Sequence, residues 1–154
     1  MKQGSDLQAL VGYQIQRAHL IMEADARTAL SSFNISPAKL TALILIRENP
    51  GSDQTALGRA MSVNRSSAMK LVNILVDRKL IERRPGRDLR TNALHLLPEG
   101  ETLVTAMLEG ARQSDARMTA RLTSDEVRSL LTLLRKLGPE TPKRKPVANR
   151  RAKD

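Results

Sequence analysis

Residues 62–90 read SVNRSSAMKLVNILVDRKLIERRPGRDLR, and this stretch decides the fold. Ala68, Leu71, Val72 and Leu75 stand at i, i+3, i+4 and i+7, which stacks them on one stripe of a helix of about four turns. Ser66, Met69, Lys70 and Asn73 fall on the opposite side, with Arg65 beside them at the N-terminus. One face can be buried while the other offers a cation, hydroxyls and an amide, the groups a helix needs to lie in a DNA major groove. An ordinary surface helix has the same two faces, so the flanking sequence has to decide between the two readings.

Upstream, Ser52-Asp53 can cap a short helix over 54–61 with Ala56, Leu57 and Ala60 facing inward. Ser62-Val63 forms a turn and Asn64 can cap the helix that follows. A short helix, a tight turn and a second helix with a polar outer face make a helix-turn-helix. Downstream, residues 80–84 read as a strand, Pro85-Gly86 is a turn signal, and 91–97 reads as the returning strand. In that strand Ala93, His95 and Leu97 alternate against Asn92, Leu94 and Leu96. The hairpin tip carries Arg84, Arg87 and Arg90, so the fold expected is mainly α, a winged helix-turn-helix with a small β-hairpin wing.

The remaining segments are helical. Residues 6–31 repeat apolar side chains at Leu7, Leu10, Val11, Ile15, Ala18 and Met22, predicting one long helix that needs a partner along its length. Ser36 can cap and Pro37 can open a helix to about residue 48, whose LTALILI centre is apolar nearly all round and so buried. Pro98-Glu99-Gly100 opens a helical segment to about 121. Thr123 and Glu126 form a capping box for a last helix to 137 with Val127, Leu130, Leu131, Leu134 and Leu137 on its stripe. The organisation expected is a dimerisation helix over 1–35, a DNA-binding lobe over 36–97, further dimerisation helices over 98–137, and a basic tail over 138–154. The tail has little apolar surface to offset an ordering entropy of about 1–2 kcal/mol per residue, and is expected to be disordered.

Charge placement supports this division. The net charge is +10, but residues 1–35 and 98–137 are each neutral, while 36–97 carry +6 and 138–154 carry +4. A solubilising charge would be spread out; a nucleic-acid footprint is localised. With one Phe, one Tyr and no Trp, base stacking on aromatic side chains is hardly available, which argues against single-strand and RNA modules. The absence of cysteine removes disulfides and thiolate metal sites. No apolar run has the length of a membrane span and the N-terminus lacks a secretory pattern, so a cytoplasmic protein is the simplest fit. No glycine-rich phosphate loop or nucleophile–base pair is visible, and His19 and His95 sit in no ligand cluster. No enzyme activity, cofactor or metal is therefore expected.

The segments 35–84 (ISPAKLTALILIRENPGSDQTALGRAMSVNRSSAMKLVNILVDRKLIERR), Asp88-Leu89-Arg90, Leu94-His95-Leu96 and Pro98-Glu99-Gly100 together resemble the MarR family of bacterial transcriptional regulators. The resemblance covers about residues 6–137. It implies a homodimer held by the terminal helices, with Leu7, Leu10, Val11, Val127, Leu130, Leu131 and Leu134 at the interface. It also implies binding to double-stranded DNA at a pseudo-palindromic operator, usually as a repressor, and release by a small anionic or aromatic effector. Family effectors include phenolic and aromatic acids and their coenzyme A thioesters.

Ser62, Asn64, Arg65, Ser66, Ser67, Lys70 and Asn73 match the family's recognition-helix positions. Free N–H groups in the first turn favour phosphate, and Asn and Lys can read adenine and guanine. The wing positions are Arg83, Arg84, Arg87, Asp88 and Arg90, with Asp88 holding a neighbouring arginine and Arg87 or Arg90 entering the minor groove. His19, with Tyr13, Met22 and Arg27, lies where the family's ligand cleft is lined. Leu97 stands where many members have a capping Ser or Thr. Two other readings fit the basic centre: a winged-helix module for an acidic protein partner, and an architectural protein that coats DNA without specificity.

Overall fold

The computed structural model describes residues 4–86 and 92–137, within which the chain divides into one unit ending at Met118 and another beginning at Thr119. The expected boundaries at 35 and 97 both fall within the first unit, and the expected disordered tail lies outside the described residues.

The first unit opens with α1 (Ser5–Ala9) and α2 (Val11–Ala29) in place of the single helix predicted over 6–31. Leu10 between them is extended, at φ −83° and ψ 117°, and its N–H turns back to the Leu7 carbonyl at 3.2 Å. Leucine is a good helix former, but α1 buries no residue that would hold the junction helical. Gly12 just beyond weakens the helix further. After α2, Leu30 is buried and a single 3-10 turn, Ser31–Phe33, ends on Asn34 in the left-handed region at φ 52°.

Helix α3 (Pro37–Glu48) starts on its proline as expected, and Ser36 occupies the cap position in extended conformation. The Ser36 side chain makes no capping bond; its backbone carbonyl instead accepts from Lys39 and Leu40. Leu40, Ala42, Leu43 and Ile46 are buried, as the apolar LTALILI run required. Helix α4 (Gln54–Ala60) is capped by Asp53, whose carboxylate accepts from Ala56 N–H at 2.7 Å. Leu57 is buried and Ala56 half-buried, but Ala60, expected inward, is exposed. It lies in the last turn, where the chain leaves the core for the turn at Met61-Ser62.

Helix α5 (Arg65–Asp77) buries Ala68, Val72 and Leu75 and half-buries Leu71. Strands β1 (Ile81–Pro85) and β2 (Asn92–Leu96) pair antiparallel, Ile81 opposite Leu96 and Pro85 opposite Asn92. The loop before α4 adds a partial third strand: Gly51 N–H reaches the Leu94 carbonyl at 3.0 Å and Leu94 N–H the Ser52 carbonyl at 2.8 Å. This extra pairing covers β2 on its second edge. Burial accordingly departs from the alternation expected for 92–97: Ala93 and Leu94 are both buried, while His95, Leu96 and Leu97 are half-buried.

Helix α6 (Pro98–Met118) runs unbroken through Gly110 and stops short of the expected residue 121. Its start is fixed by Gly100. A Cβ at this position would stand 2.1 Å from the Leu80 carbonyl oxygen, so only glycine lets the helix approach the end of the α5–β1 connection so closely. The core lies among α3, α5, the hairpin and α6, with Leu43, Ile46, Leu75, Ile81, Leu94, Val104 and Met107 fully enclosed. Burying such side chains contributes roughly 1.5–3 kcal/mol each.

The second unit is α7 (Ser124–Leu137) with its preceding turn. The capping box forms as predicted: Glu126 accepts from Thr123 N–H at 2.7 Å and Thr123 Oγ1 accepts from Glu126 N–H at 3.3 Å. The Thr123 backbone bond, then its hydroxyl, hold the Glu126 carboxyl below its ordinary pKa.

Candidate nucleic-acid interface

The polar face of α5 is built from the turn that precedes it. Ser62 takes a left-handed conformation at φ 55°, and Val63 N–H closes on the Gly58 carbonyl at 3.0 Å. Gly58 lets α4 and α5 cross closely, since a Cβ there would stand 3.2 Å from that of Ala68. Asn64 then caps α5, its side-chain oxygen accepting from Ser67 N–H at 2.9 Å and from the Ser66 hydroxyl at 2.8 Å. Beyond this cap Arg65, Ser66, Ser67, Met69, Lys70 and Asn73 are all exposed while the opposite stripe is buried. The arrangement brings the expected recognition-helix residues onto one open surface, with Ser62 in the turn rather than on the helix.

Two of the expected wing residues are described in full. Arg83 donates to the Asn73 side-chain oxygen at 2.5 Å, joining β1 to α5. Arg84 donates through Nε to Glu82 at 2.6 Å, so its charge is partly spent within its own strand. Arg87, Asp88 and Arg90 lie outside the described residues.

A recess of about 260 Å³ opens between α2, the start of α3 and α6, lined by His19, Met22, Glu23, Ala26, Pro37, Ala111, Ser114 and Asp115. His19 and Met22 were expected there; Tyr13 and Arg27 are not among the lining residues. Tyr13 is six residues before His19, about 240° around the helix, and its ring lies under the Arg17 guanidinium at 5.8 Å. Arg27 folds back onto Glu23 at 2.6 Å and lowers the Glu23 pKa, first by hydrogen bonding and then by its charge. The Ser114 hydroxyl bond to Asp25, then the Arg117 bond at 2.8 Å, depress Asp25 in turn and tie α2 to α6. His95 is half-buried, its ring 4.0 Å from where a Cβ on Gly51 would stand, and takes no part in this recess.

Sequence reasoning missed the contributions of Pro37, Ala111, Ser114 and Asp115, which come from segments distant in sequence. It also missed Arg78, whose guanidinium reaches the carbonyls of Asn34 at 2.6 Å and Phe33 at 3.3 Å. Among the described residues no group of His, Cys, Asp and Glu could hold a metal ion, and no helix is long and apolar enough to cross a membrane.

The MarR family model matches residues 33–90. A Thauera aromatica protein assigned to transcriptional regulation of the hcr operon is 33% identical over 137 residues, covering 86% of this chain and 82% of its own. The transcriptional repressor CouR, solved bound to a 23-mer DNA duplex, is 25% identical with a TM-score of 0.83, over 89% of this chain and 98% of the other. CouR has also been solved bound to p-coumaroyl-CoA. The Mycobacterium tuberculosis protein Rv2887, solved in complex with DNA, is 27% identical with a TM-score of 0.73, over 85% of this chain and 99% of that one. It has also been solved with salicylic acid. With a third of its residues shared across most of a regulator and the same fold as two repressors, this chain belongs to the MarR family of transcriptional regulators.

Proposed function

We propose that this regulator is a dimeric repressor that lays α5 in the major groove of a pseudo-palindromic operator, sets its wing beside it, and lets go when a small effector binds. The observation that carries the reading is the open face of α5. Arg65, Ser66, Lys70 and Asn73 are exposed on a helix whose other side is locked into the core. Hydroxyls and N–H groups of the first turn suit phosphate, and Lys70 and Asn73 suit base edges. The relatives CouR and Rv2887 have both been captured on DNA.

A second copy supplies what the single chain leaves uncovered. Leu10 and Val11 are 56% and 65% exposed, Leu131 is 47% exposed, and Leu7, Leu130 and Leu134 are exposed with them. Apolar stripes of this kind mark interaction surfaces. The recess beside His19 is sized for a small aromatic ring, the chemistry of the p-coumaroyl and salicylic ligands of the relatives. His19 lines it with its Nε2 3.5 Å from the Glu23 carboxylate. Such a regulator acts in the cytoplasm, without a catalytic role.

The test is a gel shift with the DNA flanking the chain's own gene, run over a series of salt concentrations. Specific binding should exceed that to random duplex by about 4 kcal/mol or more, and log affinity should fall steeply with log salt. Arg65→Ala with Lys70→Ala should weaken it. Full affinity in that double variant, or a salt slope near zero, would overturn the reading. Sedimentation should give a dimer for the unaltered chain and a monomer for Leu131→Glu with Leu134→Glu.

A further inference from the structure

Arg78 is an exposed basic residue whose guanidinium is engaged by backbone carbonyls of its own chain. It ends α5, and the backbone on either side of it is fixed. Lys79 N–H bonds the Val76 carbonyl at 2.8 Å and Leu80 N–H bonds the Leu75 carbonyl at 3.0 Å, with Lys79 left-handed at φ 56°. This is the reciprocal pairing that closes a helix C-terminus. From that locked position the guanidinium crosses to a segment more than forty residues earlier. Nη1 donates to the Asn34 carbonyl at 2.6 Å and Nη2 to the Phe33 carbonyl at 3.3 Å.

Those two carbonyls end the 3-10 turn between α2 and α3. Carbonyls at a helical C-terminus lack partners within the helix and carry partial negative charge. A two-pronged cation therefore makes charge-assisted bonds there. The turn is pinned into the core on both sides by Leu30 and Ile35, which are 1% and 5% exposed. The end of α5 is thereby tied to the 3-10 turn that follows α2.

We propose that Arg78 is a positioning residue for operator recognition: its clamp sets the angle at which α5 leaves α2. The inference rests on the reading that α1, α2 and α7 form the dimer and α5 meets the DNA. In such a dimer the angle between α2 and α5 fixes the separation of the two recognition helices, and half-site spacing must match that separation. Arg78 thus governs which spacing the protein accepts, without touching a base.

The experiment measures binding to inverted repeats whose half-site spacing is stepped one base pair at a time, for the unaltered protein, Arg78→Ala and Arg78→Lys. The unaltered protein should favour one spacing. Arg78→Ala should lose about tenfold at that spacing and much less at its neighbours, so that the preference flattens. Its affinity for random duplex should hold, because the outer face of α5 is intact. Arg78→Lys keeps the charge and stem but not the fork, so it guards against a folding defect and should lie between the two. A variant pair that weakens equally at every spacing, or keeps the full preference, overturns the positioning role while leaving the regulator reading intact. If the unaltered protein binds its own flanking DNA but discriminates no spacing, the positioning role is overturned as well. If it binds no flanking DNA above random duplex, the operator reading itself fails.

Discussion

The Arg83 guanidinium donates to the Asn73 side-chain oxygen at 2.5 Å, so strand β1 holds a residue of α5 by its carbonyl. A guanidinium can only donate, and this fixes which end of the amide faces it. Asn73 presents its N–H2 donors in full, while Arg83 occupies one of the two lone pairs of its carbonyl. The adenine contact anticipated from sequence needs the same carbonyl to accept from the base, so it competes with Arg83. Donors alone match the paired acceptors of guanine. On the reading proposed above, Arg83→Ala should free the carbonyl and shift the preference at the Asn73 base from guanine toward adenine. The shift should be about 1 kcal/mol, within the range for a bidentate pair. Gel shifts on operators substituted at that base decide it: an unchanged preference in Arg83→Ala means that Arg83 does not set what Asn73 reads.

Gly100 explains why the start of α6 carries Pro-Glu-Gly. A methyl group there would lie 2.1 Å from the Leu80 carbonyl oxygen and 2.9 Å from Leu96 Cδ1. That oxygen is already the acceptor for Leu97 N–H at 3.0 Å, so it cannot move aside without losing a backbone bond. Gly100→Ala should cost about 3 kcal/mol or more in urea unfolding. Gly12→Ala is the matched control, since a Cβ there meets nothing within 4 Å. It should gain roughly 0.5–1 kcal/mol. Similar effects in the two variants would remove the close-approach argument.

What could be read in advance was whatever depends on neighbours within one or two helical turns. The stripe of α5, its Asn64 cap, the Pro37 start and the Thr123–Glu126 box are local patterns, and the structure forms each of them. The break at Leu10 was hidden because leucine favours helix, and only the lack of packing around α1 tells against it. Partners distant along the chain were out of reach. His19 and Met22 could be placed on one helix, but the Pro37, Ser114 and Asp115 walls of the recess come from other helices. For the same reason Arg83 read only as a wing position and Arg78 as nothing in particular.

Lys79 sits where helices usually end on glycine. At φ 56° its Cβ crowds the backbone at a cost of roughly 1–2 kcal/mol. The surrounding hydrogen bonds to Val76 and Leu75 hold it there. Lys79→Gly relieves the crowding but adds roughly 0.4–1 kcal/mol of unfolded-chain freedom. A net gain of about 0.5–1 kcal/mol should therefore appear as a higher Tm. Lys79→Ala keeps the Cβ and removes the charge, so it should show no such gain. Equal gains in the two variants would assign the effect to charge instead of conformation.

Asp25 joins α2 to α6, accepting from the Ser114 hydroxyl and from Arg117 at 2.8 Å. Both interactions favour the ionised carboxylate, the Ser114 bond most, and its folded pKa is lowered. The unfolded chain has an ordinary aspartate pKa of about 3.9. Above that value the stabilisation from Asp25 is fully present, and it is lost as pH falls through the lower folded value, where the native state must also take up the proton. Asp25→Asn keeps an acceptor for Ser114 but never carries charge, so it should be less stable than the unaltered chain at neutral pH. The gap should narrow as the pH drops below about 4. Glu23 and Glu126 also have lowered pKa values and respond to acid, but they are common to both proteins and cancel in the difference. Urea unfolding of the pair at several pH values between neutrality and 3 makes the measurement. A gap that stays constant across that range would mean that Asp25 holds the two helices by shape and hydrogen bonding alone, with no contribution from its charge.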